Sequence, residues 1–221
     1  MSREPVRALF FDVGGTLVRP HPSVGAVYAA VAVRHGITTS ADEMDRSFRE
    51  SWTALKGADL TVSRKDWWRE LVFRTLGQEN HACFEELFET FAGANMWHVF
   101  PDVEEALLEA RSRGLHVGVI SNWDERLRPL LDRMGLAQYF DSITVSCEVG
   151  AEKPRAEIFL AALDAANVYA GQAVHIGDSG NEDVRGAESV GMTAFLVDRD
   201  GRDTTALRDL RDLQARLDLA K

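Results

Sequence analysis

A chain of 221 residues, 45% hydrophobic and 27% charged, is long enough for one large soluble domain or for a medium one carrying an insert. Its net charge of −10 argues against a general nucleic-acid partner or an anionic membrane surface, since both want a basic face. Two cysteines in no CxxC spacing, Cys83 and Cys147, argue against a disulfide framework or a cysteine zinc site and are expected to be buried thiols.

In chain order, the N-terminal apolar run stops at Asp12, and no later run approaches a membrane span, so a cytoplasmic protein is expected. Val6 to Phe11 reads as a buried strand that runs into "DVGGT". From Ser23 to Phe91 every pattern is helical. Ser23 caps "VGAVYAAVAVRH", Ser40 and Glu43 have capping-box spacing, Ser63 and Asp66 offer a looser version, and Asn80 caps "HACFEELFETFA". Four helices without a strand predict a separate bundle. After Met96 the rhythm changes. "DVEEALLEARSR", "DERLRPLLDRM", "RAEIFLAALDAA" and "EDVRGAESV" read as helices alternating with the strands "LHVGVIS", "SITVS", "AVHIG" and "TAFLV". Pro129 would bend the second of these helices. A polar amphipathic tail, "TTALRDLRDLQARL", closes the chain. Alternation of this kind means parallel strands with right-handed crossovers. The predicted architecture is α/β: a Rossmann-like core of residues 1–17 and 97–221, with a four-helix cap, residues 18–96, inserted after the first strand.

Open parallel sheets bind ligands at the carboxyl ends of their strands. There the sequence places Asp12, then Ser121 and Asn122, then Asp178 with Asp183 five residues on, and Lys153 just before a helix. Three carboxylates in one place repel each other, and a hard divalent cation such as Mg²⁺ resolves that with oxygen ligands and substrate phosphate oxygens. Lys153 and Ser121 can then hold a phosphoryl group that Asp12 attacks in line. Only four of the 25 basic residues are Lys, and one stands at 153, where a compact charge suits a phosphate beside a carboxylate.

Taken together, "DVGGT", the Ser121 of "VISN", the Lys153 of "EKP" and "GDSGNED" resemble the four motifs of the haloacid dehalogenase superfamily, in the subgroup with a helical cap after the first motif. The pair Trp67-Trp68 resembles a branch of that subgroup, the haloacid dehalogenase-like hydrolase domain-containing proteins. The resemblance implies a hydrolase with Asp12 as nucleophile and metal ligand. It also implies Ser121 and Lys153 as catalytic and phosphoryl-binding groups, and Asp178, Asp183 and the Gly14 carbonyl as further Mg²⁺ ligands. Gly15, Thr16, Asn122 and His21 are candidates for substrate contact. The expected ligand is a small phosphorylated or otherwise anionic metabolite, and the expected protein is a monomer or homodimer. "DVGGT" also resembles the ATP-phosphate turn of actin-like sugar kinases, but here the turn leads into helices in a short chain.

The departure is Gly14, which stands where the family has a second Asp that protonates the leaving group and later activates water. General acid–base help is worth about 10²–10⁴-fold. Three readings follow. Another group supplies the proton or the leaving group needs none, with His21 the substitute to consider. The chemistry is that of a dehalogenase or of a phosphonate hydrolase with a Schiff-base Lys, for which Lys56 and Lys65 are the cap candidates. Or the protein binds phosphate ligands with impaired turnover. Trp52, Trp67, Trp68 and Trp97 are expected to pack the cap.

Overall fold

The structure, a computed structural model, describes residues 5–55 and 64–219, with side chains to Leu217. Ser63 and Lys56, the expected cap and the Schiff-base candidate, lie outside the described residues. The chain divides into two compact units, Met1–Arg19 with Val99–Lys221, and Pro20–His98. Each crossing falls two residues beyond the boundary expected from the sequence.

The first unit carries β1 (Ala8–Phe11), then, after the chain returns, α5 (Val103–Ser112), β4 (His116–Ser121), α6 (Leu127–Arg133), β5 (Ser142–Val145), α7 (Ser146–Val149), α8 (Ala156–Ala166), β6 (Ala173–Gly177), α9 (Gly186–Ser189), β7 (Thr193–Leu196) and α10 (Leu213–Leu219). The second carries α1 (Val24–Arg34), α2 (Ala41–Leu55), α3 (Arg64–Leu76) and α4 (His81–Thr90). A ribbon of β2 (Val18–Pro20) and β3 (Trp97–Val99) forms the outgoing and returning chain crossings.

The five strands β5-β4-β1-β6-β7 pair in parallel. All residues of β1 and β6 are buried, which is why they read as continuous apolar runs rather than as alternation. Beneath them Phe10, Ile120, Ile158, Phe159 and Ala162 form one core cluster. The sheet is the parallel Rossmann-like architecture expected.

In the helical unit Ser23 and Asn80 accept the capping bonds expected of them, from the amides of Ala26 and Cys83. Its core is Val27, Tyr28, Val31, Phe84 and Leu87. Trp52, Trp67 and Trp68 pack on one another with centroids 5.2–6.0 Å apart, and the Trp97 indole donates to the Phe91 carbonyl. Lys65 sits on an exposed face, paired with Glu85 at 2.7 Å.

Two expectations need correction. Cys147 is exposed, and only Cys83 is buried. Pro129 does not bend its helix: α6 begins at Leu127, so the proline falls in the first turn, where its missing N–H costs nothing. The amphipathic tail, for which no element was specified, carries a 3-10 turn at Leu210–Asp212 and a helix at Leu213–Leu219, and Leu207 before them bridges to Val197 beside the sheet. Among the described residues no helix is long and apolar enough to cross a membrane.

Candidate active site

The chain runs from β1 to β4 and β5 on one side of the sheet, then returns to place β6 and β7 on the other. That reversal opens the rim around β1, where such sheets bind ligands. Asp12 extends β1, its amide bonded to the Ile176 carbonyl of β6 at 2.8 Å. Ser121 ends β4, and Asp178 follows β6. Glycines let these groups crowd together. A Cβ on Gly15, whose φ is +79°, would lie 2.3 Å from Asp178 Oδ2. One on Gly177 would lie 2.1 Å from Asp183 Cγ. Residues 180–185 wind as a π-type turn capped by Ser179, which swings Asp183 back under the rim.

Lys153 is the centre of the site. Its ammonium is buried and lies 2.6 Å from both Asp12 Oδ1 and Asp183 Oδ1. Burial alone would lower its pKa, but Asp12 and Asp183 outweigh that and hold it above the ordinary lysine value. Asp12 Oδ1 also accepts from Ser121 Oγ at 3.0 Å, whereas its Oδ2 accepts nothing from the described residues. Burial raises the Asp12 carboxyl, with Lys153 acting against it. Asp183 is fully committed: Oδ1 takes Lys153 and His175 Nε2 (2.8 Å), and Oδ2 takes the Ser179 amide (2.9 Å). Burial opposes its charge, but Lys153 and His175 hold its carboxyl well below the usual range.

Asp178 differs. Desolvation first, then repulsion by Asp12 and Asp183, push its carboxyl up to about 7 although the residue reaches solvent. Carboxylate oxygens of Asp12, Asp178 and Asp183 lie within 4.8 Å of one another. One exposed acid that cannot ionise freely beside two others is the donor set that fits a hard divalent cation.

The remaining predicted residues divide. Asn122 clasps the Lys153 backbone, its Oδ1 accepting from the amide at 2.7 Å and its Nδ2 donating to the carbonyl at 3.0 Å. It therefore positions Lys153 and does not cap the next helix. The Gly15 amide is bonded to the Val18 carbonyl, and the Thr16 side chain is wholly buried. His21 belongs to the helical unit, its ring 5.9 Å from that of His98. Gly14 lacks a positive φ, and a Cβ there would meet only Trp123 Cζ3, at 3.4 Å, among the described residues.

Sequence reasoning missed His175, which reads as one more member of an apolar strand but is buried against Asp183. It also missed Arg199, whose guanidinium bonds Asp102 and the Thr16 carbonyl, each at 2.6 Å, and so ties the loop after Asp12 to the start of α5. A run "VDRDGR" looks like any polar turn. A cavity of about 730 Å³ beside α5, lined by Leu108 and Leu210 among others, shares no residue with this site.

A parallel sheet with an acidic rim at its strand ends and a buried Lys bridging two aspartates is the arrangement that the sequence resemblance implied. The chain belongs to the haloacid dehalogenase (HAD)-like hydrolase family, whose model matches residues 6–191. It is 33% identical over 220 residues to the mouse haloacid dehalogenase-like hydrolase domain-containing protein 3, covering 94% of this chain and 88% of that one. It is also similar to the crystal structure of a HAD phosphatase from Thermococcus onnurineus (29% identity, TM-score 0.72, covering 96% and 98% of the two chains). A 2-haloacid dehalogenase from Pseudomonas syringae is similar as well (26%, TM-score 0.67, covering 98% and 100%). The protein is thus a hydrolase of the HAD superfamily.

Proposed function

We propose that the protein is a Mg²⁺-dependent phosphohydrolase that acts on a small phosphorylated metabolite through a phosphoryl group carried on Asp12. The observation that supports this most is the asymmetry of Asp12: Ser121 and Lys153 fix Oδ1 and leave Oδ2 open. A cation held by Asp12, Asp178 and the Gly14 carbonyl, with Asp183 behind them, would neutralise charge on the phosphoryl oxygens. Asp12 Oδ2 attacks phosphorus, the bond to the leaving oxygen breaks, and that oxygen departs with the electron pair. Water then cleaves the aspartyl phosphate to phosphate and free Asp12. Lys153 and Ser121 hold Asp12 in line and draw the phosphoryl charge.

With glycine at 14 there is no side chain to protonate the departing oxygen or to activate water, so turnover depends on the leaving group. Acyl phosphates and activated aryl esters should react faster than alkyl phosphates. Displacement of halide from carbon brings no phosphoryl charge to neutralise, so the acids at 178 and 183 favour phosphoryl transfer over haloacid hydrolysis. The deciding experiment is a screen of phosphate esters, acyl phosphates and phosphonates with and without Mg²⁺, on wild type and Asp12→Asn. Acetyl phosphate should label Asp12 in wild type only. Labelling elsewhere, or hydrolysis that survives Asp12→Asn, would refute the assignment.

A further inference from the structure

The structure places an indole beside the position of the missing acid. Val13 is turned into the core, while Asp12 and Gly14 on either side of it reach the rim. Within 4 Å of a Cβ built on Gly14, and apart from its chain neighbours, the described residues supply one atom, Trp123 Cζ3 at 3.4 Å. The backbone that carries the indole is also held in place. The Trp123 amide donates to Ser146 Oγ at 3.1 Å, and that hydroxyl donates to the Trp123 carbonyl at 3.0 Å. Ser146 is buried. The two residues before Trp123 are Ser121, bonded to Asp12, and Asn122, which clasps Lys153. The segment that orients the nucleophile and its lysine thus also sets the ring beside position 14.

We infer that Trp123 is a specificity-determining residue. Its indole forms the wall against which the leaving group rests, and it selects phosphoryl compounds whose leaving group is flat and departs as an anion: aryl, enol or acyl phosphates. This deepens the reading of Asp12 as nucleophile and rests on it for turnover, though not for binding. Two features agree on the same substrates. Glycine at 14 supplies no proton, which suits a stable leaving anion. The edge of an indole gains from edge-to-face packing on planar aromatic groups and gains nothing comparable from a hydrated alkyl chain. In the step itself the P–O bond breaks as the bond from Asp12 Oδ2 forms. The leaving oxygen keeps the electron pair and takes its proton from solvent.

The test is calorimetric binding of phenylphosphonate and methylphosphonate, in Mg²⁺ buffer, to wild type, Trp123→Leu and Trp123→Phe. Circular dichroism checks that each variant is folded. Wild type should bind phenylphosphonate about tenfold more tightly than methylphosphonate, a difference of about 1.4 kcal/mol. Trp123→Leu should bind the two alike by weakening only the phenyl compound, and Trp123→Phe should keep most of the preference. Equal binding of both by wild type, binding of neither, or an unchanged preference in Trp123→Leu overturns the inference. Acetyl phosphate labelling of Asp12 is read separately on the same proteins. Its loss with the phenyl preference intact strikes the nucleophile reading alone.

Discussion

Replacing Lys153 with Met should destabilise the metal-free protein more than a typical core substitution would. The ammonium and its two carboxylate partners are 2–9% exposed as side chains, and each contact is 2.6 Å. Met matches the length of the stem but leaves Asp12 and Asp183 facing each other without a counter-charge. Removing one partner of a buried ion pair costs about 3–5 kcal/mol. For a chain of this size 1 kcal/mol moves Tm by about 2–4 °C, so the loss is on the order of 10 °C. The deficit should depend on pH in a defined sense. Without Lys153 the Asp12 carboxyl, already raised by burial, titrates still further above its unfolded value, so the folded variant holds a proton that the unfolded chain releases. Its stability is then greatest at low pH and lost as pH rises, and the deficit at pH 8 should shrink toward pH 5. Adding Asp183→Asn should recover part of it at pH 8 by removing one buried charge. The assay is thermal unfolding followed by circular dichroism in a chelating buffer. A Lys153→Met variant within about 2 °C of wild type at pH 8 would refute the view that this lysine holds the site together, whatever its effect on turnover.

Two further outcomes follow from the acid cluster. The folded pKa of Asp178, about 7, lies above its ordinary value of 3.8, so the folded protein keeps a proton that the unfolded chain loses. The metal-free protein should lose stability as pH rises through that window. Asp178→Asn should be the more stable form at pH 8 in chelator, while weakening Mg²⁺ binding by calorimetry; a wild-type Tm that does not fall across the window would contradict this. Gly15→Ala should lower Tm by more than Gly36→Ala. Both positions have a positive φ (+79° and +76°), so both variants carry the backbone cost of about 1–2 kcal/mol. Only at Gly15 would the new methyl also displace the Asp178 carboxylate, because nothing lies within 4 Å of the Gly36 position. Equal losses, with Mg²⁺ binding unaltered in Gly15→Ala, would show that the loop does not hold Asp178 in place.

How much of this was legible depended on sequence distance and on residue type. The central strands β1, β4 and β6 could be read because parallel strands there are buried on both faces and stand out as apolar runs between helical stretches. The ribbon of β2 and β3 could not, because "VRP" and "WHV" are three residues each and show no period. Asp12, Ser121, Lys153 and the acids at 178 and 183 were legible as strand-end residues of the right chemical type, and the fold then joins Asp12 to Lys153 across 141 positions. Their supports were not. His175 has the burial of its apolar neighbours, and only its partner eight residues on explains a ring there. Arg199 reaches Thr16 across 183 positions from a turn that looks solvated. Trp123 stands two residues after Ser121 in the sequence, but its place beside Gly14 is set by the fold, where the Ser146 hydroxyl holds its backbone.

The loss at position 14 separates two functions that an acid there would join. Orienting Asp12 needs Ser121, Lys153 and the frame around Lys153, and all of these contacts are present without a side chain at 14. Moving a proton needs a titratable group beside the leaving oxygen, and the group beside Gly14 is a hydrocarbon edge of Trp123. On the proposed reading of Asp12 as nucleophile, such a site gives no help in breaking the bond to the leaving group, so the substrate itself must supply the stable anion. The same absence bears on the second half-reaction, where no base at 14 activates water against the aspartyl phosphate. With a good leaving group, dephosphorylation becomes the slower step, and phosphoryl-Asp12 should accumulate during turnover. A burst of leaving group equal to the enzyme concentration, followed by a slower steady rate, is the kinetic form of that argument. A linear release from the first turnover would mean that water is activated from another residue of the chain.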